Sequence, residues 1–197
     1  MSKYILQKSL STPDVVLSHE LAQKMIRDID NASARVHLQA MDFDTMPPMD
    51  KVTNSLVKAS ERGVDVKLVL DKKMFASKPV KTAKVVHSLR KSGINVHLVG
   101  HSWVYYPIGG RCHIKAQVMD DIVYIGGGLN LAGEFFGYND FMLRYMSKEL
   151  AVFMHTQLDL KKLKKVTNDS VHQLDEHNTI IIDGGKRGSS AILDTAV

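Results

Sequence analysis

His113 and Lys115 stand two residues apart in the run Cys112-His113-Ile114-Lys115-Ala116-Gln117-Val118-Met119-Asp120, and Gly126-Gly127-Gly128-Leu129-Asn130 follows closely. Residues two apart on a strand share a face, so an imidazole and an ammonium can converge on one ligand here. Gln117 follows them on that face, while Ile114, Ala116 and Val118 pack into a core. A neutral imidazole is a competent nucleophile at phosphorus, because its pKa lies near neutrality. The ammonium of Lys115 and the side-chain amide of Asn130 suit the non-bridging oxygens, where charge builds in a pentacoordinate transition state. Gly127 and Gly128 let backbone approach a bound phosphate closely. No carboxylate cluster adjoins the run to hold magnesium or calcium, so a route without metal or cofactor is expected.

The elements that must position these groups follow from hydrophobic periodicity. Residues 1–14 read as a lead-in ending at the Thr12-Pro13-Asp14 turn. Ser18 then caps a helix whose stripe is Leu21, Met25, Ile26 and Ile29, and Arg35–Met41 alternates as a strand. A helix-to-strand unit occurs twice. Val52, Leu56, Val57 and Ala59 lead to Gly63 and the strand 64–69; Val85, Val86 and Leu89 lead to Gly93 and the strand 94–99. A glycine just past each helix fits a closing residue with positive φ. Strands are expected over 112–119 and 122–125, joined at Asp120-Asp121, with another at 141–145. Ser147 then caps a helix carrying Leu150, Phe153, Met154 and Leu158. The alternation implies an α/β fold with a mixed sheet sandwiched by helices.

Residues 15–165 are thus expected to form one lobe, 166–178 a polar linker, and 179–197 the start of a second, truncated lobe. Thr179–Ile182 reads as a strand, and the ending at Val197 restarts the pattern that opens the chain.

The formal charge of +5, with 26 Lys and Arg against 21 Asp and Glu, favours anionic partners: nucleic acid, phospholipid headgroups or phosphorylated metabolites. Lysine runs at 72–84 and 161–165 carry much of the excess; the plain alternative is solvated helix faces. The single cysteine, Cys112, excludes an internal disulfide framework and fits a reducing compartment. No apolar run is long enough to span a bilayer. The remaining eight histidines lack a comparable context and read as surface or packing residues. Trp103, Tyr105 and Tyr106 precede the motif and line either a cleft or a packed rim.

The spacing His113-x-Lys115-x4-Asp120, with Gly127-Gly128-x-Asn130 behind it, resembles the signature of the phospholipase D superfamily. Most members have serine where Gly128 stands, and the double glycine is similar to the cardiolipin synthase branch. Val36–Gln39 and Ala59–Asp71 resemble that branch's early strand and its helix-to-strand step. The resemblance implies a phospholipase D-like lobe and a ping-pong reaction through a phosphohistidine. His113 would be nucleophile or acid, Lys115 and Asn130 would hold phosphoryl oxygens beside Gly127 and Gly128, and Asp120 would be structural or tune an imidazole. It further implies phosphatidyl transfer between anionic phospholipids of the phosphatidylglycerol type, in a cytoplasmic protein touching the inner membrane face peripherally. A nuclease or hydrolytic phospholipase, or an inactive half-site that only binds anions, are the alternatives. The superfamily needs two such motifs and this chain has one, so the second comes from a missing lobe or from a homodimer.

Overall fold

A computed structural model describes residues 10–72, 79–99, 113–157 and 170–182. Among the described residues nine strands alternate with four α-helices: β1 (Asp14–Leu17), α1 (Ser18–Asn31), β2 (Arg35–Ala40), α2 (Met49–Glu61), β3 (Asp65–Asp71), α3 (Pro79–Lys91), β4 (Asn95–Val99), β5 (Ala116–Met119), β6 (Ile122–Ile125), β7 (Phe141–Met146), α4 (Lys148–Gln157), β8 (Ser170–Gln173) and β9 (Thr179–Ile182). Seven strands form one mixed sheet in the order β1-β7-β6-β5-β2-β3-β4, and β8 and β9 make a separate hairpin. The α/β fold with helices on both faces of a mixed sheet is therefore observed.

The repeated helix-to-strand unit builds the parallel part. β2 pairs with β3 and β3 with β4, all parallel, across the crossovers α2 and α3. Gly63 and Gly93 close these helices at φ +87° and +81°, a conformation glycine adopts without steric cost. Leu21, Met25 and Ile29 of α1, Val52 and Leu56 of α2, and Val86 and Leu89 of α3 bury against Val36, Leu38, Val66 and Leu68. On the opposite face Leu150, Phe153 and Met154 of α4 cover Ala116, Val118 and Val123. β5 is accordingly buried on both faces.

A polar bridge adds to the first face. Asp28 of α1 receives the Tyr124 hydroxyl at 2.5 Å and the Arg144 guanidinium at 2.8 and 3.2 Å, which ties α1 to β6 and β7. Burial and the Asp28 carboxylate together push the Tyr124 phenol well above its usual range.

Some local expectations change. Ser18 does not cap α1 through its side chain: its hydroxyl donates to the Tyr138 carbonyl, and its amide donates to the Asp140 carbonyl at 2.9 Å. Asp14, placed at the end of the lead-in turn, instead opens the strand Asp14–Leu17, because pairing with β7 supplies its ladder. Ser147 does cap α4, accepting from Leu150 N–H at 3.2 Å. The polar segment 166–178 holds β8, which pairs with β9 rather than running as an open connector. Leu174 and Ile182 join the same apolar cluster as α4. Residues 158–169, with Leu158 and the lysine run at 161–165, and residues 183–197 lie outside the described residues.

Candidate active site

β5 runs antiparallel to β2, so Ala116, its first residue, lies beside Gln39 near the carboxyl end of β2. Residues 113–115 consequently enter at the carboxyl ends of the parallel strands, where open α/β sheets leave room for ligands. Here the Lys115 ammonium sits 3.0 and 3.2 Å from the two ring nitrogens of His113 and donates to the His113 carbonyl at 3.1 Å. The pair shares an open cavity of about 490 Å³ with Gly126, Gly127 and Gly128.

The glycine turn has an exact steric reason. Gly126 takes φ +79°. A Cβ at Gly127 would lie 1.6 Å from the Phe141 carbonyl oxygen, so only glycine lets the turn reach β7. A Cβ at Gly128 would lie 2.9 Å from an oxygen of Asp140. The other Asp140 oxygen accepts from Gly128 N–H at 3.3 Å and from Phe141 N–H at 2.7 Å. A carboxylate anchored in this way takes the space that a serine at 128 would need. Sequence reading missed Asp140, since it lies twelve positions and a turn beyond its partner Gly128.

Asn130 is buried, and its side-chain oxygen accepts from the backbone N–H groups of Met41 at 3.2 Å and Asp42 at 3.4 Å. That contact ties the glycine turn to the end of β2, reinforced by the Phe43–Leu131 bridge. The asparagine oxygen is thus committed to backbone, which leaves its NH₂ as the end that can donate to a ligand. Asn130 does not line the cavity that His113 and Lys115 share.

Asp120 does not join them. It lies at the far end of β5, about 16 Å along an extended strand from Lys115 at about 3.3 Å per residue. Its carboxylate accepts from the amides of Ser33, Ala34 and Arg35 at 2.8, 3.0 and 2.8 Å, and from the Ser33 hydroxyl at 3.0 Å. Partial burial pulls this carboxyl upward, but the four hydrogen bonds outweigh it and hold the group below its usual range. Of the two roles expected for Asp120, this geometry serves the structural one. Gln117 is fully buried in the sheet interior, so it lines no ligand cavity with the histidine and lysine.

Two other histidines pair away from this site, nearer the amino end of β2. His155 of α4 places Nδ1 2.9 Å from His37 Nδ1, and His37 Nε2 lies 3.2 Å from Asp65. The carboxylate can only accept, so neutral His37 donates through Nε2 and receives the His155 Nδ1–H. Burial, then the charges of His37, Arg35 and Lys67, lower His155 to about 4. Burial likewise lowers His37, with Asp65 opposing. No group of three or more His, Cys, Asp or Glu among the described residues is arranged to hold a metal ion. Cys112, Trp103, Tyr105 and Tyr106 lie outside the described residues.

Comparison with known proteins follows the same lines. Residues 25–165 match the family model described as the cardiolipin synthase, PLD-like domain. The chain is 25% identical over 130 residues to the minor cardiolipin synthase ClsB of Bacillus subtilis, which covers 63% of this chain and 32% of that protein. It is 28% identical over 122 residues to cardiolipin synthase 1 of Staphylococcus epidermidis, covering 60% of this chain and 24% of the relative. The chain therefore spans about a third or less of these relatives. Among solved structures, Nuc of Salmonella typhimurium, a phospholipase D family member, superposes with TM-score 0.61 at 22% identity over 79% of this chain and 96% of its own. Phosphatidylserine synthase of Haemophilus influenzae gives TM-score 0.64 at 18% identity, covering 78% and 38%. At these identities the structural likeness speaks for the fold alone.

Proposed function

This chain belongs to the cardiolipin synthase, phospholipase D-like domain family, and on that premise we propose that it is one half-site of a metal-independent phosphodiesterase or phosphatidyltransferase. The observation that carries this reading is the Lys115 ammonium 3.0 Å from the His113 ring, beside a glycine turn in an open cavity.

In the first step His113 attacks phosphorus. A nitrogen–phosphorus bond forms, the bond to the leaving alcohol breaks, and that alcohol takes a proton from a second imidazole. In the second step an acceptor hydroxyl loses its proton to that second imidazole and attacks phosphorus, and the nitrogen–phosphorus bond breaks. Lys115 neutralises charge on the non-bridging oxygens and the Gly127–Gly128 backbone closes around them, while buried Asn130 ties the glycine turn to the end of β2 and supports them from behind. Asp120 acts as a positioning residue for the β5–β6 hairpin. The second imidazole comes from a second half-site, in another lobe or another copy of the chain. The favoured reaction is phosphatidyl transfer between phosphatidylglycerol-type lipids by a peripherally bound protein. No helix among the described residues is long and apolar enough to cross a membrane.

The test is incubation with phosphatidylglycerol vesicles and, separately, plasmid DNA, both in excess chelator. Cardiolipin production that His113→Ala reduces by about three orders of magnitude or more, with an acid-labile phosphohistidine trapped on the wild type, supports the reading. Chelator-resistant DNA cleavage would favour a nuclease instead. Lipid turnover unaffected by His113→Ala removes the proposed nucleophile.

A further inference from the structure

His113 and Lys115 occupy only one end of their cavity. Beyond them its walls are largely apolar: Ile125, Leu143 and Tyr145 from the sheet, Met154 from α4, and Ile180 and Ile182 from β9. Apart from His113, Tyr145 is the one aromatic ring among the described lining residues. The space suits a methylene chain attached to a phosphoryl group.

β9 contributes to this wall without belonging to the main sheet. A two-stranded hairpin is marginally stable by itself, and here tertiary contacts secure it. Leu174 and Ile182 bury in the cluster shared with α4, and Ile180 packs against that cluster. Phe153 and His172 meet edge to face at 5.1 Å. At the turn, the Asp175 carboxylate accepts from the amides of Asn178 and His177 at 2.8 and 2.9 Å, and from the amide of Leu10 at 2.9 Å. The hairpin is thereby held over apolar space that opens beside a phosphoryl subsite.

We propose that β9, through Ile180 and Ile182, is the specificity wall of this site and receives an apolar chain carried on the phosphodiester. This rests on reading the His113–Lys115 end as a phosphoryl subsite, and it adds which residues select the remainder of the ligand. An ammonium at one end and isoleucines at the other recognise an amphiphile, whereas a polar substituent on phosphorus would lose water there without gaining a partner.

Binding without turnover tests the wall. Calorimetry would compare hexyl phosphate with inorganic phosphate on the full chain. Each buried methylene contributes roughly fourfold in affinity, so a chain burying three or four should favour hexyl phosphate on the order of 100-fold. Ile180→Trp fills the cavity from β9, and Met154→Trp fills it from α4; each should bring the ratio to within about threefold of unity, whereas Ile180→Val should retain most of it. Using two fillers on different elements guards against one of them disturbing the fold. A wild-type ratio near one, or a 100-fold ratio surviving both fillers, overturns the assignment. Chain-dependent binding in a species that contains two half-sites yet turns over no phosphodiester would sink the catalytic reading and leave the wall standing.

Discussion

Lys115 reaches the His113 ring from the segment just before β5, which is not itself strand although one was expected over 112–119, and the buried strand Ala116–Met119 anchors that segment. If the ammonium stabilises charge on phosphoryl oxygens only as it develops, its loss should fall on kcat rather than KM. Lys115→Met is expected to lower kcat about 10²–10³-fold, as for loss of one oxyanion donor, with Lys115→Arg recovering part of it. A rise in KM with kcat intact would assign the lysine to ground-state binding instead. Gly127 makes a different demand. A methyl group there meets the Phe141 carbonyl oxygen at 1.6 Å, so backbone must move, and Gly127→Ala should cost about 3 kcal/mol in urea denaturation. Gly128→Ser meets only the end of the Asp140 side chain and should cost about 1 kcal/mol. Equal costs would show that the turn is not packed as described. The juxtaposition of His113, Lys115 and the glycine turn was legible because these residues lie close together in sequence, whereas the separation of Asp120 and the backbone anchoring of Asn130 were not. Nor was Asp140, because its contact with Gly128 exists only after β6 and β7 have paired.

At the scale of elements, strong periodicity and closing glycines announced α1 to α3 and the parallel strands between them. The short strands β1 and β8 gave no such signal. β1 has four residues at the sheet's edge, only Val16 of them buried, so no alternation marks it. β8 lies in a polar stretch and is defined by its partner β9. The His37–His155 contact was equally invisible, since α4 and β2 meet only in the finished sheet. That contact has a pH consequence. Both imidazoles titrate below their usual value when folded, His155 at about 4, so the unfolded chain binds the proton first as pH falls. The stability they contribute is fully present above the unfolded value of about 6.5 and declines as pH drops towards 4. Screening at these partly exposed rings limits the loss to about 1 kcal/mol. Urea midpoints between pH 7 and 4.5 should fall less steeply for His155→Phe than for the wild type. Parallel slopes would mean that other groups set the acid sensitivity.

At the scale of the whole molecule, the proposed two-step reaction sets a chemical requirement that the described residues of this chain do not meet. During the first step the imidazole that bonds to phosphorus cannot also protonate the leaving alcohol, so a second acid must stand across the scissile bond. Among the described histidines, His37 and His155 pair with each other at 2.9 Å near the other end of β2, which disqualifies them as that acid. The sheet carries its own helices and hairpin on its two faces, so the second imidazole is expected to approach at the His113–Lys115 mouth of the cavity rather than through the sheet. A monomeric sample of this chain is therefore expected to bind phosphate but not to turn over phosphodiesters. Turnover should appear only in species containing two half-sites. Size-exclusion chromatography with phosphodiester hydrolysis assayed across the fractions reads this directly. If a second copy supplies the acid, a tenfold excess of His113→Ala chain should suppress wild-type activity about tenfold by random pairing. Activity that co-elutes with monomer and ignores the added variant would mean that one imidazole suffices, and the two-histidine mechanism would fail for this protein.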